Sequence, residues 1–301
     1  MFIGNERKIN FLQRTIERGS VSHAYLLLGP ESVGKFLAAR KFAEKLIEGR
    51  NGHSRLFENE SMPVRSLSDL LVLEPEVEEK RGVVKKKEIG IEKIRNAQKD
   101  LALFPQEGKY RILIINDAHK MSKSSQNALL KTIEEPNETS IVILVAHDEK
   151  RILSTVKSRC QKLFFNSVAL EEIKNSISGK RADALALFSM GRPGLAVRMA
   201  EDEEFFGATE KVFSDLKNIF AADINERMAL ADRYAKNIPE ATGNLKFWIW
   251  VLRIQAYKNM GNRPKMRSLY GAIEKIEKIL DVMNSTNANS RLLLENLMIN
   301  L

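Results

Sequence analysis

Gly29-Pro30-Glu31-Ser32-Val33-Gly34-Lys35-Phe36 is the stretch that decides the fold. Its two glycines and its lysine follow the phosphate-loop pattern. In that pattern backbone N–H groups converge on phosphate oxygens and the lysine neutralises their charge. Ala24–Leu28 ahead of it is a short apolar run suited to a buried strand, and Phe36–Ile47 behind it carries apolar residues at helical spacing. A strand entering the loop and a helix leaving it is the context the pattern requires. The last position departs from the pattern. A Ser or Thr hydroxyl there would ligate magnesium, and Phe36 has no ligand to offer.

Outward from the loop, three more strand candidates appear: Leu70–Leu73, Ile112–Ile115 and Ile141–Ala146. Helical patterns over Glu92–Leu103 and Ser122–Glu135 separate them. Ser122 is placed to cap the second helix and Pro136 to end it. Strands alternating with helices predict an α/β domain with a parallel sheet over residues 1–165. Beyond Phe165 only helices are expected: short ones over 166–204, then longer ones over 205–301. In Met266–Asn284, the residues Met266, Leu269, Tyr270, Ile273, Ile276, Ile279, Leu280 and Met283 form one apolar stripe, read as bundle core. Lys80, Arg81, Lys85, Lys86 and Lys87 form a basic run just after Glu74, Glu76, Glu78 and Glu79. With Gly82 between, this predicts a solvated β-hairpin with cross-strand ion pairs rather than a nucleic-acid patch.

The bulk numbers agree with a soluble, multi-domain chain. It has 301 residues, 44% hydrophobic and 29% charged. No apolar run is long enough to span a membrane, and the first ten residues, with Glu6 among them, lack the apolar core of a secretory leader. One cysteine, Cys160, excludes an internal disulfide framework and fits a reducing cytoplasm. The net charge of +9 favours an anionic partner such as nucleic acid. No helix-turn-helix, zinc-finger or RNP-like pattern accompanies it.

A second departure from a working ATP site follows the strand Ile112–Ile115. Hydrolysis needs one carboxylate to hold magnesium and usually a second to orient water. In the register set by Asn127–Lys131, Asn116 stands at the magnesium position and Asp117 at that of the base. Two magnesium-holding positions, 36 and 116, are thus both lost, which predicts a retired site. The rival reading is a magnesium-poor site that still hydrolyses.

Three segments and the tail carry a family resemblance. His23-Ala24-Tyr25-Leu26-Leu27-Leu28-Gly29-Pro30 looks like the strand and loop of bacterial clamp-loader subunits. Asn127-Ala128-Leu129-Leu130-Lys131-Thr132-Ile133-Glu134-Glu135-Pro136 is similar to their most distinctive helix, and Ser158-Arg159-Cys160 resembles their Ser-Arg-Cys motif. The tail from Asn287 to Leu297 resembles their final collar helix. The resemblance implies an AAA+ domain at 1–165, a helical lid at 166–204 and a helical collar for oligomerisation at 205–301. Within the family, the defects at Phe36 and Asn116 favour the delta-prime branch over the gamma/tau ATPases. So does Gly194, aligned with the sensor arginine of the ATPases.

What the resemblance implies is a fixed, largely non-hydrolysing subunit of a five-membered ring that opens the sliding clamp and sets it on primed DNA. Gamma/tau and delta subunits would be its partners and the cytoplasm its compartment. Arg159 would reach a neighbour's ATP as an arginine finger. The alternative is an active gamma-like ATPase. Gly29, Pro30, Val33, Gly34, Lys35, Phe36, Asn116 and Asp117 would line a degenerate nucleotide site, able to take ATP or ADP but requiring no cofactor. Lys35 either still meets a phosphate or pairs with Asp117. Cys160 reads as a small apolar residue, Trp248 and Trp250 as core, and His23 and His119 as satisfied structural histidines. No metal site is expected. The histidines at 23, 53, 119 and 147 show no ligand spacing, and Arg50–Met62, where relatives carry a four-cysteine zinc module, has only His53.

Overall fold

A computed structural model of the chain describes residues 2–49, 56–57, 67–80, 83–106, 108–286 and 288–301. The segment expected to lack the zinc module falls outside these except for Leu56 and Phe57. The described chain condenses into two compact units. One is Met1–Ile177 with Gly191–Leu195; the other is Ser178–Met190 with Ala196–Leu301.

The first unit contains, in order, α1 (Glu6–Arg18), β1 (Ala24–Leu28), α2 (Lys35–Glu48), β2 (Leu70–Leu73), β3 (Val77–Lys80), β4 (Val83–Lys86), α3 (Ile91–Leu101), β5 (Arg111–Ile115), α4 (Lys123–Glu134), β6 (Ser140–Ala146), α5 (Ser154–Lys157), β7 (Gln161–Phe164) and α6 (Leu170–Ser176). Among the described residues the main sheet has five parallel strands in the order β2-β5-β6-β1-β7. This is the expected AAA+ arrangement. The apolar strands are buried on both faces, and alternation divides their side chains. Tyr25, Leu27, Ile112, Ile114, Ile141 and Ile143 pack with α2 on one face; Leu26, Leu28, Leu113, Ile115, Val142 and Leu144 pack with residues of α3 and α4 on the other. Ser122 caps α4, its hydroxyl accepting from the Ser125 amide at 3.0 Å.

Three elements go beyond the sequence expectation. The strand β7 adds a fifth member to the sheet, the helix α1 precedes the loop strand, and the short helix α5 leads into β7. The charged hairpin forms as expected: β3 and β4 pair antiparallel, with a Lys87–Glu78 ion pair at 3.8 Å. Lys80, Arg81 and Lys85 of that run lie outside the described side chains. Arg111, the first residue of β5, and Asp69 form a buried ion pair at 2.9 Å.

The second unit is helical, with α7 (Ala182–Phe188), most of α8 (Pro193–Glu201), α9 (Glu203–Ile219), α10 (Ile224–Ala235), α11 (Ile238–Lys258), α12 (Arg263–Ser285) and α13 (Ser290–Asn300). Trp248 is wholly buried and donates to the Val212 carbonyl at 3.0 Å; Trp250 donates to the Leu187 carbonyl at 2.9 Å. Of the α12 stripe, Ile273, Ile276 and Leu280 are buried, but Tyr270 is exposed. The stripe is therefore core only over its middle turns. No described helix is long and apolar enough to cross a membrane.

Candidate functional site

The register of the sheet assembles the site. Leu28 pairs with Ala146, and Ile115 pairs with Leu144. The residues that follow these strands, namely the phosphate loop, Asn116-Asp117 and His147, therefore meet at the carboxyl edge of the sheet. They line a cavity of about 420 Å³ together with Glu31, Lys86 and Gly194. At the mouth of the loop, Gly29 has φ +139°, and a Cβ there would lie 2.0 Å from the Phe165 carbonyl oxygen. Only glycine fits.

Of the two alternatives for Lys35, geometry bears on the pairing with Asp117, which is not formed. Its ammonium donates to the loop's own carbonyls, Gly29 at 2.7 Å and Pro30. Asp117 is instead paired with Lys86, which reaches in from the hairpin. Burial lowers Lys35 to a pKa of about 8, against the pull of Glu31 and Asp117, which raise it. Burial works to raise Asp117, but the hydrogen bond and charge of Lys86 outweigh it and leave the carboxyl below its ordinary value. Asn116 donates to Glu74 at 2.7 Å. Phe36 lines the cavity with Val145 and Ala146, and Val33 is buried. A Cβ on Gly194 would stand 2.9 Å from the Ser32 carbonyl oxygen, and the Gly194 amide donates to that same oxygen at 2.8 Å. The loop and the residue at the expected sensor position are in backbone contact.

Arg159 lies elsewhere. Gln161 pairs with Tyr25, so Arg159 stands level with His23, at the amino edge of the sheet. Six residues of strand rise, on the order of 20 Å, separate it from Gly29. Its guanidinium is partly exposed and bonds Glu134 at 2.7 Å and the Thr155 carbonyl at 3.1 Å. Cys160 packs under this segment, and burial pushes its thiol up to about 12, so it stays protonated and inert.

One histidine reading is corrected. His119 is not a satisfied structural residue: it is 4% exposed and neither ring nitrogen has a hydrogen-bond partner. Burial, with His147 second, lowers its pKa to about 4. His147 lies against it, ring centroids 3.8 Å apart. Sequence spacing separates these two by 28 positions; pairing of β5 with β6 brings them together.

Comparison with known proteins adds the following. A family model described as DNA polymerase III, delta subunit, matches residues 4–169. Relatives include subunit delta' of Pseudomonas aeruginosa, 29% identical over 60% of this chain and 57% of that protein. Subunit delta' of Bacillus subtilis is 28% identical over 68% and 62%. Subunit tau of B. subtilis is 30% identical over 57% of this chain and 29% of its own length. The chain thus matches less than two thirds of each of these relatives. Among solved structures, a gamma subunit-related protein from Thermotoga maritima has a TM-score of 0.48 at 18% identity, covering 97% of this chain and 98% of that one.

Proposed function

The chain belongs to the DNA polymerase III clamp-loader subunit family of delta', gamma and tau, and from that membership we propose that it is the delta-prime-type member. In this reading it is a non-hydrolysing scaffold of the loader ring and offers Arg159 to the ATP of a neighbouring gamma/tau-type subunit. Its other partners are a delta-type subunit, the sliding clamp and, through the complex, primed DNA. It works in the cytoplasm. The domain plan that goes with it is AAA+ at 1–165, lid at 166–204 and collar at 205–301.

The observation that carries this reading is the position of Arg159. It lies beyond the start of β7, away from its own phosphate loop, and its partly exposed guanidinium is held by Glu134 and the Thr155 carbonyl, which supports a role toward a neighbouring subunit. Three features of the loop site support the rest. Phe36 and Asn116 remove two magnesium-holding groups. Lys86 occupies the one remaining carboxylate of the acidic pair. The contact of Gly194 with Ser32 leaves no room for a sensor side chain. The gamma-like alternative draws on the intact Lys35 and the similarity to tau.

Two measurements test the proposal. Tagged protein recovered from native lysate is expected to bring gamma/tau-type and delta-type subunits with it; recovery of the chain alone would remove the scaffold role. The purified chain is expected to hydrolyse ATP no faster than Lys35→Ala. Lys35-dependent turnover near the common enzymatic range of about 1 per second would establish the gamma-like alternative instead.

A further inference from the structure

The carboxyl edge of the sheet holds a cluster that the clamp-loader reading does not use. Asp117, His119 and His147 each present one ligand atom, all within 4.8 Å of one another. His119 is the informative member. A buried imidazole with both nitrogens unpartnered is unusual, because buried polar groups are nearly always hydrogen-bonded. Its ring is held neutral by burial, which is the form that ligates a metal. His147, partly exposed, has Nδ1 3.6 Å from Asp117 Oδ1 and 3.1 Å from Glu31 Oε1. Lys86 takes the other Asp117 oxygen, Oδ2, so Oδ1 is left facing the histidines.

We propose that Asp117, His119 and His147 form a binding site for one divalent transition-metal ion of the zinc or cobalt kind, with Glu31 as a supporting carboxylate beside His147. The donor set decides the metal. Two imidazoles and one carboxylate suit zinc, cobalt or nickel, whereas magnesium prefers oxygen ligands throughout. Metal–ligand bonds of about 2.0–2.2 Å place two ligands across a metal no more than about 4.4 Å apart. Around a tetrahedral ion neighbouring ligands stand only about 3.4 Å apart, so a pair at the 4.8 Å limit has to close by about 1.4 Å, within the reach of side-chain rotations. Three protein ligands leave a coordination position open, unlike a four-cysteine structural module. This proposal departs from the expectation that no histidine here belongs to a metal site, and it stands independently of the clamp-loader assignment. Its consequence at the loop is direct: a bound ion would engage Asp117, the last carboxylate at the position of the hydrolytic base.

The test is a titration of the metal-stripped full chain with Co²⁺, followed by its visible d–d absorption, with Zn²⁺ as competitor. About one Co²⁺ per chain is expected, displaced by Zn²⁺ and indifferent to excess Mg²⁺. His147→Ala and Asp117→Asn, both at the cavity rim, should each weaken binding at least about tenfold, and His23→Ala should leave it unchanged. Absence of the Co²⁺ band, or a band that survives both His147→Ala and Asp117→Asn, would overturn the proposal. Because the readout is spectroscopic, it is unaffected by whether the chain hydrolyses ATP or joins a loader.

Discussion

Arg159→Ala is expected to leave the isolated chain folded and to lower ATP turnover and clamp loading only in the reconstituted loader. The stability side follows from exposure. The ion pair of Arg159 with Glu134 joins two side chains that are 40% and 44% exposed, and pairs of that kind contribute about 0–1 kcal/mol. The catalytic side follows from the planar guanidinium, which stabilises charge developing on a γ-phosphate; in other NTPases such a finger is worth about 10³–10⁵ in rate. The site served by this subunit should fall by that order, and total turnover by the share that this one site contributes. Arg159→Lys should not rescue, because a point-charge ammonium lacks the two-pronged donor geometry. ATP hydrolysis and clamp loading, measured with primed DNA and clamp present, check this. Equal values for wild type and Arg159→Ala would remove the finger assignment.

The largest stability effect is expected at the Asp69–Arg111 pair. Asp69 is wholly buried; Arg111 donates to it at 2.9 Å and to the Asp100 carbonyl at 2.6 Å. The Gln106 amide donates to both Asp69 oxygens, at 2.9 and 2.8 Å. Arg111→Met takes the guanidinium away from the wholly buried Asp69 carboxylate. Breaking a buried pair from one side costs about 3–5 kcal/mol, because the charge left behind is uncompensated. The double change Asp69→Leu with Arg111→Met should cost clearly less, since no charge is stranded. Hydrogen exchange of the β5 amides is the appropriate probe. Trp248 and Trp250 both lie in the helical unit and report on this site only indirectly. A loss below about 1 kcal/mol for Arg111→Met would show that the pair is replaceable.

Local patterns made much of the fold legible. Ala24–Leu28, Ile112–Ile115 and Ile141–Ala146 are nearly pure apolar runs because a parallel strand buried on both faces has no polar side. The loop glycines and the Ser122 cap are equally local signals. β7 was not legible: Gln161-Lys162-Leu163-Phe164 buries only Leu163 among its four residues, as an edge strand does, and looks like loop. The site was half legible. Phe36, Asn116 and Asp117 could be judged by position in a motif. Lys86 on Asp117, the Arg111–Asp69 pair, and His119 against His147 depend on which strand lies beside which, and residue periodicity carries no information about that. The family resemblance is what suggests a role for Arg159; the strand register places it beyond the start of β7, away from its own phosphate loop.

The strand order also sets a timetable for synthesis. β1 lies between β6 and β7, so both of its neighbours are encoded more than a hundred residues after it. At about 5–20 residues per second on the ribosome, Ala24–Leu28 emerges and then waits on the order of ten seconds with both edges unpaired. It is a five-residue apolar segment, all of it buried in the finished sheet, and free edges of such composition invite pairing with other chains. Until residue 164 has been made, β1 therefore lacks at least one of the strands that pair its edges in the finished sheet.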